Sequence, residues 1–475
     1  MSTSEPLSEA KQKVLERWLR GERRRPQQIR PRPPGIPRRA SIAQERMLVA
    51  TEKVPSVPFR NQSALIRMEG PLDTLALHQS LTEIWRRHEN LRTIFPYVAG
   101  TRTPVIVDAG DFPLDIISLA HLPVDARKME ALRFYTEALK EPLDLSAGPL
   151  LKVALLELSD QEHMLHILID HLLFDGWSSG VFWRELLTLY EAFSQARPSP
   201  LPELAIQYAD YDAWKREQLT GEYLQRLSGY WTKRLTGKLP ILELPTDYSR
   251  QTPQPYAIGV VPFDLGAELS HAVRTFAARR NASTFMVLLT AFQATLARYT
   301  GATDVSVVSP VANRTRPELY DLIGCFTNHL VFRCDFRDDP TFEELLSRAR
   351  QACVEATAHQ DMPVDWLQRE LAAEAGREWE WPLRLALVLQ NYPVPSLKAR
   401  DLRMHVTAVD FGTPLYDMTV LLVDGAETLA GPIKYNATLF KPASILEILK
   451  RFATLLHGGV ANPSARVSGL PFVTL

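Results

Sequence analysis

The sequence predicts an α/β protein, with mixed α+β sheets arranged in two lobes. The chain has 475 residues, which is long for a single domain. Strand patterns alternate with helix patterns in both halves of the chain. Between the halves, residues 197–250 become Pro-rich and polar, which indicates a crossing between lobes. We therefore assign residues 40–220 to an N-terminal lobe and residues 221–465 to a C-terminal lobe.

Composition argues against several classes of protein. A net charge of −1 gives no bulk attraction to nucleic acid or to a membrane surface. No stretch approaches the roughly 20 apolar residues of a membrane helix, and the N-terminus has no hydrophobic signal core. Cys325, Cys334 and Cys353 contain no C-x-x-C pair, so neither a zinc site nor a disulfide framework is indicated. We expect a monomeric cytoplasmic protein with reduced thiols, no metal, and no nucleic-acid or membrane partner.

The first 39 residues form a separate segment. Residues 7–21 predict a short amphipathic helix, with Ser8 as its cap. This helix could dock an upstream synthase, although packing on the protein's own surface is the more frequent arrangement. Residues 20–39 are rich in Arg and Pro, which predicts an extended, solvated linker. Its basic cluster could also meet an acidic carrier protein.

Several elements are predicted in the N-terminal lobe. Residues 64–70 have a strand pattern, and Asp73 is a suitable N-cap for the helix that follows. Further strands are predicted over residues 150–158 and 163–170, joined by the turn SDQE. We predict that Ser178 caps the next helix, whose apolar side chains cluster on one face.

The C-terminal lobe repeats this alternation. Ser283 and Gly301 are suitable cap residues for a helix between them, and Thr341 with Glu344 forms a capping-box pattern for another. The other predicted elements are a helix over residues 270–280 and strands over residues 304–311, 383–391 and 432–440.

We expect the chemistry in the loop after the strand that reaches Asp170. His171 lies just beyond that strand, and Asp175 and Gly176 precede the next helix. A histidine with an unperturbed pKa of roughly 6.5 can accept or donate a proton at cellular pH. A carboxylate four residues on could orient the ring or pair with a distant Arg, and a glycine permits a sharp turn. Taken alone, this pattern is more typical of a structural histidine beside a turn than of a catalyst.

A set of motifs makes the prediction more specific. DHLLFDGWS resembles the HHxxxDGWS signature of the condensation domains of nonribosomal peptide synthetases. Three further stretches, SIAQERML (residues 41–48), RRHENLRTIF (86–95) and YADYDAW (208–214), resemble SxAQxRxW, RHExLRTxF and the motif that follows the active site. Three more, IGCFTNHLVFR (323–333), HQDMPVD (359–365) and LVLQN (387–391), resemble IGxFVNTxxxR, HQDxPFE and a stretch ending in an asparagine near the reaction centre. They occur in the family's order over about residues 40–470.

The resemblance implies both a fold and an activity. The fold is two chloramphenicol-acetyltransferase-like lobes in a V, with His171 in a central tunnel. The activity is that of an acyltransferase, which joins a donor acyl or peptidyl thioester to the amine of an aminoacyl acceptor. Both substrates are carried on the phosphopantetheine of partner carrier proteins, and the domain itself binds no cofactor. His171 is the implied catalytic residue and Asn391 an implied substrate-binding residue. Site architecture is assigned to Asp170, Asp175, Gly176, Trp177, Ser178, Arg87, Arg92 and Arg314.

The sequence leaves the ionic partner of Asp175 open. Arg87 or Arg92 in the second motif could pair with it, and Arg314 is the alternative. His88, beside Arg87, is more typical of a helix-end histidine than of a catalyst.

The chain departs from the signature at its first histidine, where Asp170 stands. Neighbouring strand residues point to opposite faces, so Asp170 and His171 cannot enter the same cavity if the strand continues. We favour a structural role for Asp170 over one that raises the basicity of His171. Asp170, Asp175 and Ser178 also match the DxxxxDxxS signature of heterocyclisation domains, although the other motifs follow the amide-forming type. An ester-forming relative and a catalytically silent recruitment module of the same fold are the remaining alternatives.

The expected mechanism is amide formation. His171 orients the acceptor amine and takes a proton as the tetrahedral intermediate forms, and the N–H groups of Gly176 and Trp177 are candidates to stabilise the oxyanion. Residues 466–475 resemble the start of a linker to a downstream adenylation domain. We expect the donor to arrive from a separate upstream protein, either a polyketide or a peptidyl carrier.

Overall fold

The computed structural model describes residues 28–33, 38–53, 59–140, 142–235, 242–250, 257–375, 383–390, 398–399, 402–410 and 416–473. The helix predicted over residues 7–21 and the predicted substrate-binding residue Asn391 lie outside these ranges.

The helices of the described residues are α1 (Ile42–Lys53), α2 (Thr74–Arg87), α3 (Val124–Ala138), α4 (Gly176–Phe193), α5 (Tyr208–Gln218), α6 (Gly221–Leu235), α7 (Gly266–Arg279), α8 (Thr284–Thr300), α9 (Phe342–Ala358), α10 (Val364–Ala375) and α11 (Pro442–Ala461). Short 3-10 helices span Glu89–Arg92, Pro317–Leu319 and Val467–Gly469. None of the helices in the described ranges combines the length and the apolar character needed to cross a bilayer.

The strands are β1 (Asn61–Glu69), β2 (Thr93–Ile94), β3 (Tyr97–Val98), β4 (Thr101–Arg102), β5 (Val105–Ile106), β6 (Leu114–Ser118), β7 (Leu151–Ser159), β8 (Glu162–Asp170), β9 (Ile258–Asp264), β10 (Asp304–Val311), β11 (Asn328–Asp335), β12 (Leu385–Gln390), β13 (Lys398–Ala399), β14 (Leu402–Asp410), β15 (Met418–Asp424) and β16 (Leu429–Asn436). Two six-stranded mixed sheets form from them, in the orders β13-β14-β1-β8-β7-β6 and β11-β10-β12-β15-β16-β9. The remaining strands make two small hairpin-like pairs, β2 with β5 and β3 with β4.

The first sheet carries β8, the strand that leads into the His171 loop. β8 lies between β1 and β7, antiparallel to both, and β6 is parallel to β7 at one edge. Eight of the nine residues of β8 are buried, because α4 covers one face of this sheet and α3 contacts the other. A strand fixed on both faces holds its end, and hence His171, in one position.

Residues 398–399 and 402–410 do not belong to the sheet of the lobe to which the sequence analysis assigned them. β14 pairs antiparallel with β1, so a segment from the predicted C-terminal lobe completes the sheet of the N-terminal lobe. Lys434 on β16 of the second sheet donates to Asp410 at the end of β14, at 2.7 Å. The sequence pattern could not show this crossing, because apolar alternation identifies a strand but not its partner.

Most predicted helix caps are confirmed. Asp73 accepts from the backbone N–H of Ala76, Ser283 caps α8, and Gly301 ends that helix in the left-handed conformation. Thr341 and Glu344 form the predicted capping box of α9.

Two predicted boundaries are wrong. α4 begins at Gly176 and its N-cap is Asp175 rather than Ser178, since the Asp175 carboxylate accepts the N–H of Ser178 at 2.8 Å. A carboxylate at this position also interacts favourably with the helix dipole. β16 ends at Asn436 rather than at residue 440, because the Asn436 side chain accepts bonds from Thr438 and turns the chain.

The described part of the predicted linker forms neither helix nor strand, and it is not simply solvated. Ile29 is 2% exposed and packs with Tyr208, Tyr211 and Phe326 in a small apolar cluster. Arg32 donates from its backbone and its Nε to Asp210, at 3.0 and 3.3 Å. The Arg- and Pro-rich composition predicted the absence of helix and strand, but it could not reveal that one isoleucine anchors the segment.

Candidate active site

His171 is the first residue after β8. Its backbone N–H donates to the carbonyl of Arg60 at 2.9 Å, so the ladder between β1 and β8 continues up to this residue. The chain then turns, with the N–H of Leu173 bonded to the carbonyl of Asp170 at 2.9 Å. The His171 side chain is half-buried where the two lobes meet, close to Cys325 of the C-terminal lobe.

The imidazole of His171 has a defined tautomer. Its Nδ1 lies 2.5 Å from the carbonyl oxygen of Phe174, and a carbonyl oxygen can only accept. Nδ1 therefore carries the hydrogen, and Nε2 is left with a lone pair. Burial lowers the pKa of His171 from its ordinary value, so the ring is neutral near pH 7. Nε2 has no hydrogen-bond partner among the described residues, and a neutral ring with a free acceptor nitrogen can take a proton from a substrate.

Cys325 lies beside this histidine but does not share its chemistry. Its Sγ is 3.9 Å from Nδ1 of His171. Burial raises the pKa of Cys325 to about 12, so the group is a thiol rather than a nucleophilic thiolate.

Asp175 uses its carboxylate to hold the loop together. Its Oδ1 accepts from the N–H and the hydroxyl of Ser178 at 2.8 and 2.7 Å, and from Arg314 at 3.2 Å. Its Oδ2 accepts from the backbone N–H of Phe326 at 3.0 Å. With four donors on a side chain that is 1% exposed, Asp175 is fully engaged in structure and does not hydrogen-bond His171.

Arg314 is the arginine that contacts Asp175. Its Nη1 donates to the carbonyls of Leu319 and Leu322 at 2.5 and 2.8 Å, and its Nη2 also donates to the Ser178 hydroxyl at 2.9 Å. The guanidinium carbon lies 3.9 Å from the centroid of the Phe326 ring. These contacts join the start of α4 in the N-terminal lobe to residues 313–326 of the C-terminal lobe.

The other two predicted arginines lie elsewhere. Arg87 pairs with Glu185 at 3.1 Å in the buried interior of the first lobe, and His88 at the end of α2 bonds the same carboxylate at 3.0 Å. Arg92 donates to the carbonyls of Trp85 and Val107. Neither arginine contacts Asp175. The sequence placed both arginines near a turn, but it did not show that Arg87 pairs with the buried carboxylate of Glu185 on α4.

The carboxylate of Asp170 is held by Arg60 and by the backbone of the loop that follows β8. Arg60 Nε donates to both carboxylate oxygens at 3.1 and 3.0 Å, and the N–H of Leu172 donates to Oδ1 at 2.9 Å. Asp170 is 0% exposed. Arg60 was not identified from the sequence, since no motif marks it.

Gly176 and Trp177 form the first turn of α4. As the first two residues of a helix, they have backbone N–H groups without intrahelical acceptors. Trp177 also donates from its indole to the carbonyl of Tyr320 at 3.0 Å, which adds a further link between the lobes.

A small, partly open cavity lies at the junction of the lobes. Cys325, which contacts His171, lines it. The lining also includes Arg46 on α1, Tyr211 and Lys215 on α5, Asn313, and Asp365 on α10. Nearby, Arg46 Nη1 lies 3.0 Å from Nδ1 of His329. Arg46, His329 and Asp365 lie within three of the motifs noted in the sequence, but the motifs did not show that they converge. Within the described ranges, no three His, Cys, Asp or Glu side chains are placed to hold a metal ion.

Comparison with known proteins assigns the chain to a family. The Condensation domain family model matches residues 39–474. The chain belongs to the condensation domain family. Its relatives are synthetases that include a chain of the linear gramicidin synthase of Brevibacillus parabrevis, which is 36% identical over 91% of this chain. Another is phosphinothricin tripeptide synthetase PhsC of Streptomyces viridochromogenes, which is 38% identical over 93% of this chain.

This condensation domain corresponds to only part of those relatives, covering 9% of the gramicidin synthase chain and 41% of PhsC. Its fold is that of solved condensation domains of the chloramphenicol-acetyltransferase-like type. The first condensation domain of the calcium-dependent antibiotic synthetase, in complex with a substrate analogue, superposes with a TM-score of 0.77 at 21% identity. That alignment covers 93% of this chain and all of the other.

Proposed function

We propose that this condensation domain forms an amide bond between two carrier-bound substrates. The donor is an acyl or peptidyl thioester, and the acceptor is the α-amine of an aminoacyl thioester, each on the phosphopantetheine of a carrier protein. The observation that carries the proposal is the neutral imidazole of His171, whose Nδ1–H is bonded to Phe174 and whose Nε2 is left as an acceptor.

The chemistry required of His171 is modest. An α-amine has a pKa of roughly 8 and is partly neutral at cellular pH, so it does not need a strong base before it attacks. The amine nitrogen bonds to the thioester carbon, and Nε2 of His171 takes the proton that this nitrogen loses. The C–S bond then breaks, and the departing thiolate receives a proton from the imidazolium, which restores neutral His171. The N–H groups of Gly176 and Trp177 are candidates to bind the transient oxyanion.

Asp175 and Asp170 have supporting roles in this proposal. Asp175 orders the loop through Ser178, Arg314 and Phe326 rather than through the imidazole. Both oxygens of Asp170 accept from Arg60, which supports a structural replacement for the first histidine of the signature. That engagement disfavours a heterocyclising activity in which Asp170 acts as a base.

The proposal extends to partners. We propose upstream donor and downstream acceptor carrier proteins, with an adenylation domain as the neighbour that loads the acceptor. The relatives that this chain matches are synthetases much longer than the matched region, which supports a multidomain setting.

A single-turnover assay by intact-protein mass spectrometry tests the activity. Donor and acceptor are loaded on separate carrier proteins, and wild type is compared with His171→Ala and Asp170→Asn. We expect acyl transfer by wild type, none by H171A, and retained transfer by the folded fraction of D170N. A cyclic or ester product would favour the heterocyclising or ester-forming relative. Carrier binding without any transfer by wild type would favour the silent recruitment module and overturn the proposal.

A further inference from the structure

The cavity at the lobe junction contains two charged side chains that form no ion pair with another described residue. Four charged side chains line it: Arg46, Asp212, Lys215 and Asp365. Asp212 pairs with Arg216 at 2.8 Å, and Lys215 pairs with Asp361 at 3.4 Å.

Arg46 and Asp365, in contrast, have no ion-pair partner among the described residues. In the described part of the chain, Arg46 makes one side-chain hydrogen bond, to neutral His329, and has no carboxylate within 4.0 Å. Asp365 has no hydrogen bond or ion pair to the side chain of another described residue, and it lies more than 4.0 Å from Arg46. Burial raises the pKa of the Asp365 carboxyl, and Arg46 and Arg369 act on it only through space. Half-buried charged side chains that lack a contacting counter-charge are unfavourable for stability, which favours a role in binding.

A third group in the cavity also lacks a partner among the residues that the structure describes. Asn313 is 4% exposed, and its Oδ1 is buried without a hydrogen bond. Its Nδ2 lies 3.4 Å from the hydroxyl of Tyr211. The cavity thus presents two oxygen acceptors, on Asp365 and Asn313, and a guanidinium donor on Arg46. A complementary ligand carries N–H donors and a carbonyl oxygen a short distance apart.

The acceptor substrate of the proposed reaction has this chemistry, because its α-amino group is separated from the thioester carbonyl by one carbon. We propose that Asp365 binds the α-amino group of the acceptor aminoacyl thioester, while Arg46, held by His329, donates to its carbonyl oxygen. This inference rests on the proposed function. The cavity reaches Cys325, whose Sγ lies 3.9 Å from Nδ1 of His171, so the cavity adjoins the Nδ1 side of the imidazole. The proposal requires the acceptor amine to extend from this subsite to Nε2.

This chain departs from the motif consensus at two of the positions involved. HQDMPVD ends in Val364 and Asp365 where HQDxPFE has Phe and Glu, and His329 stands where IGxFVNTxxxR has Thr. The side chain of Asp365 is one methylene shorter than that of the consensus Glu. Nδ1 of His329 contacts Arg46 and orients its guanidinium. The proposed subsite therefore differs from the motif consensus at Asp365 and His329.

Binding of two stable analogues tests the assignment without turnover. Alanyl and lactyl groups are joined by an amide to aminopantetheine, so that the two probes differ only in an α-amine or an α-hydroxyl. Dissociation constants are measured by NMR titration for wild type, Asp365→Asn and Asp365→Glu. The matched control is Glu370→Gln. Glu370 lies on the same helix as Asp365, but its carboxylate contacts Ser228 outside the cavity.

We expect wild type to prefer the alanyl probe by about tenfold, the size of one hydrogen bond to a charged group. D365N should lose this preference, whereas D365E should retain part of it and E370Q all of it. In turnover, D365N should raise KM for the aminoacyl carrier and leave KM for the donor carrier unchanged. The assignment is overturned if wild type binds neither probe or both equally, or if D365N keeps the preference. Acyl transfer that depends on His171 would survive that outcome, so the two proposals fail separately.

Discussion

The guanidinium of Arg314 lies 3.2 Å from the carboxylate of Asp175, and both side chains are only 1% exposed. Asp175 caps the helix that follows the His171 loop, and Arg314 belongs to the C-terminal lobe. The pair therefore couples the geometry of the proposed active site to the packing of one lobe on the other. The motifs left three arginines as possible ionic partners of Asp175, and the structure shows that Arg314 is the one in contact.

Removing Arg314 should destabilise the protein and abolish acyl transfer. Arg314→Ala leaves the Asp175 charge buried and unpaired, which costs about 3–5 kcal/mol. Chemical denaturation measures the free energy of unfolding. The matched control is Arg184→Ala, because Arg184 and Asp321 join the same two segments but are largely exposed. That control should change stability by less than about 1 kcal/mol. Equal losses in the two variants would contradict the assigned role of the Arg314 pair.

Asp170 should depend energetically on Arg60. Asp170→Asn removes the negative charge and leaves the Arg60 guanidinium, with a side chain 5% exposed, unneutralised. We expect a loss of roughly 3 kcal/mol for D170N and a similar loss for Arg60→Met, but a smaller sum for the double variant. A double-mutant cycle by urea denaturation measures this coupling. Additive losses would show that the pair does not act as a unit.

The rate of acyl transfer should fall at acidic pH. Burial lowers the pKa of His171, and protonation at Nε2 removes the acceptor for the substrate proton. The substrate amine, with a pKa of roughly 8, also becomes protonated over this range, which lowers the rate below pH 8 whatever the state of His171. The ring is neutral above its own lowered pKa, so its protonation should add a second fall with a midpoint below about 6.5. Single-turnover rates between pH 5 and 8, on protein shown to be folded throughout, provide the measurement. The assignment is contradicted if the midpoint of this second fall lies above the ordinary histidine value.

His166 should make the protein less stable in acid. Its Nε2 lies 2.9 Å from the Ser63 hydroxyl, and Phe134 and Tyr135 pack edge-on against its ring. Burial lowers the pKa of His166 to about 4, so the unfolded chain binds the proton first as pH falls below roughly 6.5. Stability is present above that pH and is lost as pH falls toward 4. The His166 share of this loss is about 2 kcal/mol between pH 7 and pH 5.

Urea denaturation at pH 7 and pH 5 measures that share. His166→Gln, which does not titrate, should lose about 2 kcal/mol less than wild type over this interval. The control is His405→Gln, which replaces a histidine whose side chain is 60% exposed rather than buried. The assignment fails if H166Q and wild type lose the same stability.

Much of the local structure follows from the sequence. The strand patterns at residues 163–170 and 304–311 appear as β8 and β10, and the capping signals at Ser283 and Thr341 mark true helix starts. These features depend on hydrogen bonds and side-chain periodicity within a few residues. The motifs also placed His171 in the loop after β8, and their order indicated the family that the comparison establishes.

The sequence by itself determined the elements, the family and the loop that carries His171. Only the tertiary structure decided that Arg314 rather than Arg87 or Arg92 meets Asp175, that β14 returns to the first sheet, and that Arg46 and Asp365 face one cavity. The reason is physical. Local patterns fix which backbone groups bond nearby, whereas the partner of a buried charge or an edge strand depends on how two distant surfaces pack together.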